Sequence, residues 1–366
     1  YEQAMSARFL PEISLAEVNA LAKSWIPDAS RTIAVAAPQR SGLALPTEAR
    51  LAAVVAESKT AKLNPYVDRV TTTSLLPTAP TPGTIVKENV RAAIGVTEWT
   101  LSNGAKVVLK PTTMKEDEVL FRAVSPGGTS LANDQDYIAA TTAERVIAEG
   151  GLGTLSTLDL SRALAGSSAA VQPDISEVEE GLRGGSTRKD IEKMFQLVYL
   201  TFTSPRADPV AFDSLKSRLK NMLANQQARP ETAFRDAIVS ALTQDHPRGR
   251  PLTAAAVDQM SLEKSLAFYK NRYADASDFT FVFVGRFEPA EMKPLVERYL
   301  ASLPALRRTD TPVDRGIRRG SVVFCCQACV DNEPCEFGCS EARDPAKGAG
   351  GPGVIVAYTP NAGFRV

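Results

Sequence analysis

Histidine is almost missing from this chain: 366 residues contain one, His246. A metal centre needing two imidazoles from these residues is thereby excluded. A surplus of either charge is missing too, with 42 basic and 42 acidic side chains. Nucleic acid and acidic membrane surfaces attract excess Lys and Arg, so no nucleic-acid partner is expected. No apolar run approaches the roughly 18–20 residues of a membrane span, so none is expected. Cysteine is lacking over residues 1–320, and all five (Cys325, Cys326, Cys329, Cys335 and Cys339) fall together near the end. So local a cluster says nothing about redox compartment. The chain opens on Tyr1 without a basic and then apolar leader. It is therefore expected to be a piece of a longer chain, or one whose start was removed.

What is present is ordinary globular composition, 44% hydrophobic and 23% charged. At roughly 150 residues per domain the length suggests one large or two modest domains. The first 26 residues read as a helix, with Ser14 and Glu17 as a capping box and Leu15, Val18, Ala22 and Trp25 on one face. Thr32–Ala37 is a short apolar strand. From Pro38 to about Gly95 prolines recur around one helix at about 47–56, as in an interdomain linker.

A domain begins near residue 96. Asn103-Gly104 between Glu98–Leu101 and Lys106–Lys110 is a strong hairpin signal. Val119–Val124 is a third strand, closed by Pro126-Gly127-Gly128. A helix capped by Asp134 or Asp136 runs to about Ala148, and a second spans Leu158–Leu164. Ala169–Gln172 and Ser176–Leu182 read as a strand pair around Pro173. Four amphipathic helices follow, seeded by Ile191–Phe202, Phe212–Leu223, Pro230–Leu242 and Leu262–Tyr273. Phe279–Val284 is a strand, and a last helix carries Met292, Val296, Tyr299 and Leu303. Strands first and helices afterwards, without regular alternation, predict an α+β fold.

Several local patterns suggest chemistry without the context it needs. His246, in Asp245-His246-Pro247-Arg248, has no nucleophile placed beside it and reads as a turn residue. Ser217/Lys220 and Ser261/Lys264 match a serine-nucleophile spacing but lack its companion motifs. Gly348, Gly350 and Gly353 mimic a dinucleotide fingerprint, yet a strand follows them instead of a helix. Cys326, Cys329, Cys335 and Cys339 have metal-knuckle spacing, but their five-residue separation is tight and no patterned core surrounds them. An aberrant or disordered Cys/Gly-rich tail is the favoured reading over structural zinc.

Trp99–Lys110 (WTLSNGAKVVLK) and Phe121–Ser130 (FRAVSPGGTS) resemble the start of a pitrilysin-like, insulinase-superfamily domain. Asp190-Ile-Glu192, Tyr199–Phe202 with Pro205–Asp208, His246–Pro251 and Asp278–Gly285 extend the resemblance to about 96–310. It implies an α+β domain of the metallopeptidase LuxS type, with an antiparallel-rich sheet and helices packed on one face. Residues 1–38 resemble the end of a preceding domain and 39–95 the linker between halves, leaving 311–366 as the tail. Relatives of the long bacterial type are similar to a clamshell of four such domains around peptide substrates. Their zinc is implied to sit on an inverted H-x-x-E-H helix of the first domain, two imidazoles sharing one helix face. The matching helix here, 136–146, has no histidine and only Glu144 as a mid-helix carboxylate, expected to be a solvated surface residue.

The resemblance therefore implies the non-catalytic third domain of a zinc metalloendopeptidase, with no catalytic, cofactor or metal residue of its own. Zinc belongs to the parent family, and the partner is the catalytic half of the same protein or a homologous subunit. The alternative is a non-enzymatic scaffold with the same fold. A periplasmic location is implied by the long relatives. A fourth domain is expected soon after Arg318-Arg319, where the cysteine tail instead suggests a frameshifted or truncated reading. Exposed apolar surface is expected where the other domains pack.

Overall fold

The computed structural model describes residues 1–317 apart from 28, 30, 38–41, 65–74 and 228. The cysteine cluster and the Gly348–Gly353 run lie outside the described residues. The chain divides into two units, Tyr1–Asp68 and Arg69–Val366.

In the first unit the expected single helix is two, α1 (Glu2–Phe9) and α2 (Leu15–Trp25), separated by a 3-10 turn at Leu10–Glu12. Pro11 sits in that turn, where its missing N–H costs nothing, and Ser14 starts a new helix. The capping box forms as expected: Ser14 N donates to Glu17 Oε2 (2.8 Å), and Glu17 N donates to Ser14 Oγ (3.2 Å). Thr32–Ala37 is exposed and pairs with no strand among the described residues. β-propensity alone does not make a strand when no ladder is beside it. Helix α3 (Glu48–Thr60) is a turn longer than expected and is capped by Thr47, whose Oγ1 accepts from Arg50 N. Leu15 and Trp25 are each 76% exposed, so the apolar face of α2 is bare.

The second unit is built on seven strands in the order β1-β2-β3-β7-β4-β6-β5. They are β1 (Ile85–Arg91), β2 (Val96–Leu101), β3 (Lys106–Pro111), β4 (Val119–Pro126), β5 (Ala170–Ile175), β6 (Glu179–Ser186) and β7 (Thr280–Gly285). All neighbours are antiparallel except β3 and β7. The β2–β3 hairpin turns at Asn103-Gly104, with Gly104 at φ +95° and Asn103 Nδ2 donating to Leu300 O at 2.8 Å. Strand β1 lies ahead of the expected boundary at residue 96, inside the stretch read as linker. Its residues beyond Ile85 are all exposed, so it carries no hydrophobic alternation to betray it. It is held by its ladder and by Trp99 Nε1 donating to Glu88 Oε2 at 2.7 Å. Leu75 and Leu76, also in that stretch, are buried. The β5–β6 turn falls at Ser176–Val178, and Pro173 lies inside β5, where an edge strand tolerates a missing donor.

Helices α4 (Tyr137–Gly150), α5 (Thr157–Ala163), α6 (Ile191–Thr203), α7 (Pro209–Gln227), α8 (Pro230–Leu242), α9 (Ala254–Asp258), α10 (Leu262–Arg272) and α11 (Pro289–Leu295) complete the unit. Pro294 lies within α11, and the chain widens into a π-helical turn, Val296–Leu300, directly after it. The short α9 was not anticipated. Phe121, Phe281 and Phe283 project from one sheet face into Phe195, Phe202, Tyr273 and Tyr299. Phe195 and Phe283 stack at 5.2 Å, and Phe202 meets Phe279 edge-on at 4.9 Å. Each such ring contributes roughly 1.5–3 kcal/mol by leaving water, and together they fix the helices to that face. A smaller core of Val146, Phe212, Leu215, Leu219, Val257 and Met260 joins α4, α7 and α9.

Candidate functional site

Strand β4 feeds α4 through Pro126–Asp136, the position at which the resemblance puts a zinc helix. Gly127 and Gly128 adopt φ +144° and +62°, and a Cβ on Gly128 would meet Ser176 O at 2.5 Å. The loop is pinned from several sides. Gly128 N donates to Glu180 Oε2 (2.5 Å), and Ser130 Oγ donates to Gly127 O (2.6 Å). The buried Arg248 donates to Thr129 O (3.1 Å), Ala132 O (2.7 Å) and Asp134 Oδ1 (2.7 Å). Its guanidinium also lies 4.7 Å from the Tyr137 ring centre. His246 caps the 3-10 turn that delivers Arg248, its Nδ1 accepting from Arg248 N at 3.2 Å. Asp136 occupies the N-cap of α4 without a side-chain capping bond, and its carboxylate accepts from Lys264 Nζ instead. Asp134 is taken by Arg248, which holds its carboxyl below the usual range.

Of the other singled-out residues, Ser217 is exposed on α7, while the rest have local partners. Lys220 pairs with Asp258, and Ser261 caps α10 by accepting from Lys264 N. Glu144 is half-buried, not solvated as expected, and its Oε2 accepts from Ile175 N at 2.9 Å, tying α4 to the end of β5. The residues of α4 do not fit a zinc ion, having no imidazole and two carboxylates already engaged, Glu144 by Ile175 N and Glu149 by Arg218. No group of three or more metal-binding side chains forms among the described residues.

Behind the loop lies a buried ionic cluster that sequence reasoning missed. Arg272 Nη1 reaches Asp310 Oδ2 at 2.8 Å and Glu180 Oε1 at 3.4 Å, with Arg272 and Glu180 both buried. Burial pushes the Glu180 carboxyl up to about 7, against the pull of the Gly128 N–H and Arg272. Burial also pushes Asp275 upward, but Ser277 and the backbone N–H groups of Ser277, Arg308 and Leu306 outweigh it and bring it down to about 2. Val313 N and Arg315 Nε then bond Ser130 Oγ (3.0 Å) and Ser130 O (2.6 Å), strapping residues 305–316 to the loop.

The opposite sheet face carries a trough of about 750 Å3 over β4, β6 and β5. Strand register builds it row by row. One row is Leu120, Gly185 and Ala170, and the next is Arg122, Arg183 and Gln172. Gly185 leaves the floor bare between Leu120 and Ala170. Gly184 is forced by contact: a Cβ there would lie 2.0 Å from Ala170 O. Arg122 pairs with Glu179 at 2.6 Å. At one end Ser168 Oγ, Thr187 Oγ1 and Asp190 interlock, with Ser168 N donating to Asp190 Oδ2 at 2.8 Å. Asp190 belongs to the motif Asp190-Ile-Glu192, but the sequence did not show that the rows of β4, β6 and β5 form a trough, because which face they occupy depends on the register.

Comparison with known proteins points one way. Residues 259–334 match the model of the peptidase M16 inactive domain. The chain is 24% identical over 307 residues to "Zinc protease PQQL-like" of Arabidopsis thaliana, covering 83% of this chain and 29% of that protein. It is 29% identical over 209 residues to "Probable zinc protease PqqL" of Haemophilus influenzae, covering 56% of this chain and 22% of the relative. The crystal structure of the periplasmic protease PqqL from Escherichia coli superposes with a TM-score of 0.60 at 24% identity, over 76% of this chain and 31% of that one. That superposition bears out the α+β fold. The chain thus spans about a quarter of the length of the curated relatives it matches. These matches relate it to the insulinase-like zinc proteases, through the part of them that holds an inactive domain. No helix among the described residues is long and apolar enough to cross a membrane.

Proposed function

We propose that this insulinase-like chain is a fragment of a two-half zinc metalloendopeptidase, supplying a non-catalytic domain that walls the chamber for peptides or unfolded proteins. The observation that carries the reading is the make-up of α4. It follows β4 where the relatives' resemblance calls for a metal helix, yet it holds no histidine and commits Glu144 to the backbone of Ile175. Zinc and the general base would then reside in the other half. Residues 1–38 end the preceding domain, and the linker that starts at residue 39 gives way to the sheet by Ile85. The cysteine tail is assigned no zinc. The similarity to the periplasmic protease PqqL of Escherichia coli favours a periplasmic setting.

The test joins the chain to a catalytic half carrying H-x-x-E-H, taken from the same gene if it lies upstream. Cleavage of a quenched unstructured peptide is expected only with both parts present, and it should vanish with chelator. Chelator-sensitive cleavage by the chain alone would overturn the reading. If no catalytic half restores cleavage, the scaffold alternative replaces it.

A further inference from the structure

We infer that the trough over β4, β6 and β5 binds extended peptide segments through an acidic residue two positions from an apolar one. The inference rests on the chamber-wall reading and adds the chemistry of the occupant. Arg122 and Arg183 stand directly opposite each other on neighbouring antiparallel strands. Like charges in that position oppose folding, so an arrangement that keeps both calls for an anion. Glu179 answers only one of them, at 2.6 Å from Arg122. Arg183 is exposed and has no hydrogen-bond or ion-pair partner among the described residues, and the Gln172 side chain next to it in the row is equally free. A guanidinium fork beside an amide is suited to a carboxylate, which accepts from both.

The adjoining row differs in character. Leu120 is 52% exposed, and Gly185 and Ala170 offer little more than backbone. An apolar side chain two positions along an extended segment, on the same side of it, settles there while the carboxylate meets Arg183. The volume, about 750 Å3, lies in the range of roughly 300–1,000 Å3 typical of binding sites. Asp117 and Glu118, at one edge of the trough, bond Arg188 N and Lys115, and neither is bonded to Arg183.

Fluorescence anisotropy on the full chain tests this with three labelled unstructured peptides that repeat Leu-Ser-X-Ser, with X as Glu, Gln or Lys, so that Leu and X share one side when extended. The Glu peptide is expected to bind most tightly, by about fivefold over the Gln peptide, with the difference shrinking in high salt. Arg183→Gln should bring the Glu peptide down to the Gln level, and Arg183→Glu should transfer the preference to the Lys peptide. Both variants should keep or raise the melting temperature, since the side chain is exposed and its removal relieves repulsion. Equal binding of all three peptides, no binding at all, or an acidic preference surviving Arg183→Glu would overturn the proposal. Failure of the two-part cleavage assay leaves these readings unchanged, so the two ideas fall separately.

Discussion

At the scale of single residues, the buried Arg272 matters most to stability. Removing it leaves Glu180 and Asp310 without their shared cation. Arg272→Met is expected to cost about 3–5 kcal/mol in urea unfolding, as for other broken buried ion pairs. Glu180 gives the same cluster a pH dependence. Its carboxyl lies near 7 in the fold against 4.5 ordinarily, so the folded chain holds a proton that the unfolded chain has released. The associated stability is full below about 4.5 and is lost as pH rises through 7, amounting to about 3 kcal/mol at most. Unfolding midpoints measured from pH 5 to 8 should fall across this window, and Glu180→Gln should flatten the slope. Neither residue was legible beforehand. Glu180 sits in the polar run Glu177–Glu180 and Arg272 near the end of an amphipathic helix, and only the packing of β6 against α10 brings them together.

At the scale of elements, legibility followed burial. Strands β2, β3, β4 and β7 alternate or run apolar and were anticipated within a residue or two, as were α4, α6, α8 and α10. The edge strand β1 escaped because it is exposed beyond Ile85, and β5 was read only as far as Gln172 because Pro173 looks like a turn. Strand β6 (EEGLRGGS) has weak β-propensity and is shaped by contact instead. Gly184→Ala is therefore expected to part β5 from β6, since its Cβ would lie 2.0 Å from Ala170 O. A loss of about 2–3 kcal/mol is expected, with amide exchange protection in β5 lost first. Of the site, the Pro126-Gly127-Gly128 loop and the histidine-free helix were readable as motifs. The trough was not, since facing directions emerge only from register.

At the scale of the molecule, exposed apolar surface is concentrated in the first unit. Trp25, Leu15 and Ile26 are 76%, 76% and 68% exposed there, a pattern that marks a surface for partners. A hydrophobic dye should brighten strongly with the full chain and weakly with residues 69–366. Equal signals from both would place the sticky surface elsewhere.

Strand β7 sits between β3 and β4, although it follows them by more than 150 residues of chain. Until Gly285 has been made, the two parts of the sheet share no ladder, and their central edges stand open. On a ribosome adding about 5–20 residues per second, that interval is on the order of ten seconds. Contacts so distant in sequence also make for slow closure. A nascent chain of this kind needs shielding through that window, and any product ending before Gly285 holds two edges ready to pair with other molecules.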